Sequence, residues 1–259
     1  MFPYHDENET LRTPVVTIAL VGLCSLTWLV VQGAGADASL ARSVCNLGLI
    51  PGELTGLARP GTGFPMGEVG VCLVDPGRQP INLLTSMFLH GSWMHLIGNM
   101  WFLWLFGNNI EDSMTRPRFV AFYLLCGLAA AMAQVVVDPS SVVPMVGASG
   151  AISGVMGAYL VLYPRVRVYT LVPLGFVMTS MALPAWVMLI YWGLLQLVGG
   201  FATLGAEGGG VAFWAHVGGF VAGVVLVKLF ARPEAALAQR RAVRWVPPSG
   251  YRGSWGSRL

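Results

Sequence analysis

Apolar residues gather into six stretches: Pro14–Gln32, about Trp93–Ile110, Phe119–Val137, Ser149–Tyr163, about Leu183–Leu204 and Val211–Phe230. These runs far exceed the roughly 4–8 residues of a buried strand, so each reads as a helix. A hydrocarbon core about 30 Å thick takes roughly 20 helical residues to cross. The pattern therefore predicts an all-α membrane protein with six transmembrane helices. Thr13 and Pro14 read as N-cap and first helical position of the first span. Asp138-Pro139 stops the third span and Pro164 the fourth. One further apolar stretch, Val168–Ala182, is short and holds Pro173 and Gly175, so it reads as an interfacial loop. The segment from about Gly33 to Gly91 is long but too apolar for a merely solvated loop, and is expected to lie on the membrane as short interfacial helices.

Composition supports the membrane reading. Hydrophobic residues make up 55% of the 259 positions and charged residues only 10%, against about 25% charged in a soluble domain. With six spans and a cytoplasmic N-terminus, 12 of the 15 Lys and Arg fall in cytoplasmic segments, as the positive-inside rule requires. Both termini are then cytoplasmic. The net charge of +3 is a topology signal rather than a nucleic-acid footprint. Residues 1–13 form a short tail, 14–232 one membrane domain, and 233–259 a basic tail expected to be disordered and able to touch anionic lipid. The acidic start (Asp6, Glu7, Glu9) lacks the basic region of a cleavable signal peptide. Compact loops suggest a bacterial inner membrane, and 14 Arg against one Lys a GC-rich genome. Cys24 and Cys126 fall inside spans. Cys45 and Cys72 share the outer loop and would pair if that side is oxidising; the alternative is two free thiols. No Cys/His spacing suggests a metal, and no cofactor is expected.

Polar residues inside spans are costly and mark candidate function. Ser149 opens the fourth stretch in Gly147-Ala-Ser-Gly150. From Ser149 to Tyr163 a helix reaches only about 22 Å, too short to cross, so Ser149 should sit below the membrane surface at the floor of a wet pocket. Taken alone, Gly-x-Ser-Gly is a weak signal, and Ser149 reads first as a helix cap. His216 shares a helical face with Gly219 and Gly223, and the fourth stretch presents Gly150, Gly154 and Gly157. Packing these faces would bring an imidazole to the hydroxyl, as base and nucleophile. The fourth to sixth spans hold no Asp or Glu, so this would be a dyad. His95 and Asn99, four residues apart, share a helix face and can donate to an oxyanion, or simply glue helices together. His90 reads as structural, and Glu111 as a tie between helix ends.

The run His90-Gly-Ser-Trp-Met-His95-Leu-Ile-Gly-Asn99, with Gly147-Ala-Ser149-Gly150 and Ala215-His216-Val-Gly-Gly219 plus Gly223, resembles the rhomboid intramembrane serine proteases over roughly Leu83–Leu229. The resemblance implies a six-helix bundle with a half-submerged first loop. It implies Ser149 as nucleophile, His216 as base, and an oxyanion hole from His95, Asn99 and the Ser149 N–H. It implies gating by the fifth helix and the loop after it. The substrates it implies are single-pass or other membrane-anchored proteins, cut in or next to a transmembrane helix from the outer side. Two positions depart from the family pattern: Ile81-Asn82 stands where some members have Trp-Arg, and Ser153 where some have a tyrosine that stacks on the histidine. The other readings are a catalytically inactive relative that binds membrane proteins, and a transporter or channel. The lack of internal repeats and of intramembrane carboxylates argues against the latter.

Overall fold

The computed structural model describes residues 1–77, 79–175, 177–204 and 210–242. It opens on β1 (Phe2–Asp6) and α1 (Val15–Val30). Between Val30 and Trp93 lie α2 (Asp37–Leu47), α3 (Pro51–Thr55), β2 (Gly63–Pro65), β3 (Val71–Leu73) and α4 (Asn82–Thr85). Next come α5 (Trp93–Asp112), α6 (Arg116–Val137) and α7 (Ser149–Leu162). A hairpin, β4 (Arg167–Leu174) and β5 (Val177–Pro184), precedes α8 (Ala185–Ala202), α9 (Phe213–Phe230) and α10 (Pro233–Ala242). Of these, α6, α8 and α9 are each long and apolar enough to cross a membrane, while α1 and α7 are shorter apolar helices.

The short helix α7 is the axis of the molecule. It is buried continuously from Gly150 to Tyr159 and packs against α5, α6, α8 and α9. A helix apolar all round belongs inside others. The seam with α9 follows the expected glycine faces. A Cβ on Gly223 would run into the Gly154 carbonyl, and one on Gly219 into the Gly150 carbonyl. Only hydrogen at these positions allows the two backbones to touch.

Three expectations need correction. The stretch Val168–Ala182 is no loop: β4 and β5 pair antiparallel from Arg167↔Pro184 to Leu174↔Val177, and β1 adds to β4 in the order β1-β4-β5. Val168, Thr170 and Val172 are buried in alternation, a period of two that Pro173 and Gly175 disguise as punctuation. The fold is thus helical with two small sheets rather than all-α. Residues 1–13 are no free tail either. Asp6 is buried, accepting from Tyr159 Oη at 2.5 Å and Asn109 Nδ2 at 3.0 Å. Finally, the expected disordered tail begins with the helix α10; positions 243–259 lie outside the described residues.

The start of α1 differs in detail. Thr13 does not cap it; the helix begins at Val15 with no cap from its own segment. Glu111, at the end of α5, accepts from the N–H groups of Val16 at 3.0 Å and Thr17 at 2.8 Å, and from Thr17 Oγ1 at 2.9 Å. The carboxylate faces the positive end of α1 and satisfies its orphan donors. Beside it, Arg12 pairs with Asp112 at 3.4 Å.

The α2–α4 region carries the Cys45–Cys72 disulfide. It docks on the loop that leads into α7. Leu49 exchanges backbone hydrogen bonds with Met145 (2.9 and 2.7 Å), Gly52 N–H reaches Ser141, and Gly147 N–H reaches the Ser86 carbonyl at 2.9 Å. This support fixes where the chain turns into Ser149.

Candidate active site

Gly147 makes the turn into α7 at φ +133°, a conformation L side chains rarely adopt. A Cβ there would also lie 2.8 Å from His95 Nε2 and 3.3 Å from Ser149 Oγ. The glycine thus brings His95 and Ser149 to one spot. As first residue of α7, Ser149 has an N–H with no intrahelical partner. Its hydroxyl lies 2.8 Å from His216 Nε2 on α9, where the glycine seam has set the two helices.

The imidazole of His216 is held from its other side by α8. Gln196 Oε1 lies 2.8 Å from Nδ1, and the Trp192 ring packs on it with centroids 5.9 Å apart at 37°. Neither residue stood out in the sequence reading. A signal was there: Gln196 is the one amide in an apolar span, four residues after an aromatic, hence on its face. Ser153 does not stack on His216. Its hydroxyl is buried and donates to the Ser149 carbonyl one turn back, at 2.6 Å.

Opposite lies the start of α5. Ser92 caps it, accepting from His95 N–H at 3.1 Å. His95 Nδ1 accepts from Gly91 N–H at 3.2 Å. That bond occupies the ring's acceptor and leaves its proton on Nε2, aimed at the Gly147–Ser149 turn. Asn99 donates an N–H to the His95 carbonyl at 2.9 Å and is among the residues that line the cavity. His90 is fully buried behind them, its ring edge-on to His95 at 5.2 Å. Gln32 clamps the His90 backbone, donating to its carbonyl at 2.7 Å and accepting from its N–H at 2.8 Å.

These groups face a cavity of about 770 Å³, lined by His95, Asn99, Ser149, Trp192 and His216, with Asp138 and Ser141 toward the α2–α4 side. Among the described residues no cluster of His, Cys, Asp or Glu is arranged to hold a metal. Cys45 and Cys72 are not among the residues lining this cavity. The arrangement can do one thing plainly: remove a proton from a hydroxyl beside a set of N–H donors.

The Rhomboid domain family model matches residues 77–233, more than half of the chain and every residue just described around the cavity from His90 to His216. The chain belongs to the rhomboid family. Rhomboid protein 1, mitochondrial, of Saccharomyces cerevisiae is 27% identical over 64% of this chain and 47% of its own length. Rhomboid protease GluP of Bacillus subtilis is 30% identical over 61% of this chain and 28% of its own. RHOMBOID-like protein 5 of Arabidopsis thaliana is 33% identical over 37% and 30%. The match thus spans less than half the length of each of these relatives. Rhomboid membership and the long apolar helices make this an integral membrane protein of a family that includes intramembrane proteases.

Proposed function

We propose that this rhomboid is an intramembrane serine endopeptidase that cuts membrane-anchored proteins in or next to a transmembrane helix. The observation that carries the reading is the 2.8 Å contact between Ser149 Oγ and His216 Nε2, at the cavity end of a helix of 14 residues, about 21 Å long. In this reading α1 and α5–α9 are the six spans, both termini are cytoplasmic, and the cavity opens to the outer face of a bacterial inner membrane. The α2–α4 region then rests on the outer leaflet. The cytoplasmic bias of Lys and Arg supports this orientation.

The chemistry follows from the donors. His216 Nε2 takes the Ser149 proton as the hydroxyl attacks the scissile carbonyl. The resulting oxyanion lies among the Ser149 N–H, His95 Nε2–H and Asn99, which supply preorganised charge stabilisation. The imidazolium returns its proton to the leaving amine, and water hydrolyses the acyl-enzyme by the same steps in reverse roles. A substrate helix must first unwind, because its carbonyls are tied up internally. Gly or Pro near the bond lowers that cost by about 1–3 kcal/mol per residue.

The test is labelling of detergent-solubilised chain by a fluorophosphonate probe. The native chain is expected to react, and Ser149→Ala and His216→Ala are expected not to. Labelling indifferent to both changes removes the protease reading and leaves a rhomboid that binds membrane proteins without cutting them.

A further inference from the structure

Gln196 is a buried polar side chain that the steps above leave unused. It sits within α8, only 8% exposed, with its amide between two partners. Oε1 faces His216 Nδ1 at 2.8 Å, and Nε2 reaches the Trp192 carbonyl, one turn back, at 3.4 Å. An amide has one accepting and one donating end. The Trp192 carbonyl can only accept, so it takes the NH2 and turns Oε1 toward the imidazole. Nδ1 therefore carries the ring proton, and Nε2 presents its lone pair to the Ser149 hydroxyl. The opposite tautomer would set a ring N–H against Ser149 and leave Nδ1 facing an oxygen with no proton between them.

We infer that Gln196 is a positioning residue that fixes the tautomer and orientation of His216, completing a Ser149–His216–Gln196 relay. The inference rests on the protease reading. Gln196 stands where the serine triads use a carboxylate. As the Ser149 proton moves to Nε2 the ring becomes an imidazolium, and Nδ1–H keeps donating to Oε1. The amide takes up no proton, and the Nε2 proton passes on to the leaving amine. A neutral orienter avoids placing an uncompensated carboxylate in the membrane when the ring is neutral. Trp192 contributes twice: its carbonyl sets the amide, and its ring packs against the imidazole.

The experiment uses the full chain in detergent with a fluorogenic transmembrane peptide carrying Ala before the scissile bond and Gly beyond it. Gln196→Met keeps the size and removes the strong acceptor; Gln196→Glu keeps an acceptor. The expected result is a fall in kcat of about 10- to 100-fold for Gln196→Met, with KM little changed, as befits a group acting on the transition state alone. Gln196→Glu restores a substantial part of that loss. Imidazole ¹⁵N shifts read the tautomer directly: His216 in the native chain holds its proton on Nδ1, and Gln196→Met moves it toward a mixture. Native kcat in Gln196→Met, or a native His216 protonated on Nε2, overturns the inference. So does equal loss in both variants with the tautomer unmoved, which marks Gln196 as packing. If the native chain labels with fluorophosphonate while Gln196→Met labels equally fast, only this inference falls. If the native chain fails to label, the protease reading falls and this goes with it.

Discussion

The α7–α9 pair and the helix α8 both deliver side chains to the same imidazole, yet they are held in place very differently. Along α7–α9 two backbones touch, with carbonyls of Gly150 and Gly154 occupying the space where Gly219 and Gly223 lack side chains. Protein interiors packed to that degree do not deform continuously. By contrast α8 packs on α7 and α9 far less extensively than those two pack on each other, and where its Gly199 and Gly200 approach α9 they meet the side chains of Phe213 and Trp214 rather than backbone. The nucleophile and the base therefore sit on the rigid seam, while Trp192 and Gln196, which set the base's orientation, sit on the loosely held wall. In such a design a shift of α8 leaves the α7 and α9 backbones in register but frees the His216 ring to turn away from Ser149.

Glycine substitutions break that comparison most severely. Gly223→Val or Gly219→Val forces a side chain into a backbone carbonyl, and no flexible neighbour can yield. Both are expected to abolish fluorophosphonate labelling and to lower the thermal midpoint in detergent. Gly193→Ala on α8 is the counterpart. A Cβ at Gly193 meets nothing within 4 Å, so its labelling rate and midpoint should match the native chain. A tolerant Gly223 or a crippled Gly193 would reverse the assignment of rigid and loose walls.

Next in size are the donors across the cavity. Asn99→Ala removes the amide proposed to donate to the oxyanion and is expected to lower kcat by about 10²- to 10³-fold while leaving KM nearly unchanged. Unaltered turnover would take Asn99 out of the oxyanion hole. On the α8 side, Trp192→Leu keeps an apolar filler and the backbone carbonyl that sets Gln196, but removes the aromatic face. Such ring contacts are worth about 0.5–1.5 kcal/mol, so kcat should fall about two- to tenfold on the same peptide. A loss as large as that of Asn99→Ala would mean that the ring, not the amide, does most of the orienting.

The same contrast explains what the sequence disclosed. The seam was legible because its logic is local and periodic: Gly150, Gly154 and Gly157 on one helix, Gly219 and Gly223 on another, with Ser149 and His216 at the matching ends. His95 and Asn99 were legible through their i, i+4 spacing. Gln196 was not, because apart from the Trp192 ring one turn back it has no second polar side chain within a turn in its apolar stretch, and its significance comes from the approach of α8 to α9. The β4–β5 hairpin was missed for a different reason. Pro173 and Gly175 look like loop signals, and the third strand that stabilises the sheet, β1, comes from the opposite end of the chain. Glu111 was expected to tie helix ends, and it does so by capping α1 in place of Thr13.

The smallest expected effect lies toward the other end of α7 from Ser149, where Asp6 of the β1 strap meets Tyr159. Burial pushes the Asp6 carboxyl up to about 7, outweighing the hydrogen bond from Tyr159 that favours its charged form. In the unfolded chain an aspartate titrates near 3.9, an order-of-magnitude reference. Between those values the docked strand holds a proton that the undocked strand has lost, so docking weakens as pH rises. The stabilisation is full below the unfolded value and gone once pH passes through about 7. Hydrogen exchange of the β1 amides should accordingly be slower relative to intrinsic rates at pH 5 than at pH 8. Asp6→Asn keeps an acceptor for Tyr159 but cannot ionise, and should make protection independent of pH over that range. Because β1 is the outer strand of a sheet that leads into α8, the neutral variant also asks whether firmer docking of the strap quiets the loose wall. If α8 amides in Asp6→Asn exchange at native rates at pH 8, the strap and the wall are mechanically separate, and any opening of α8 comes from its own sparser packing on α9.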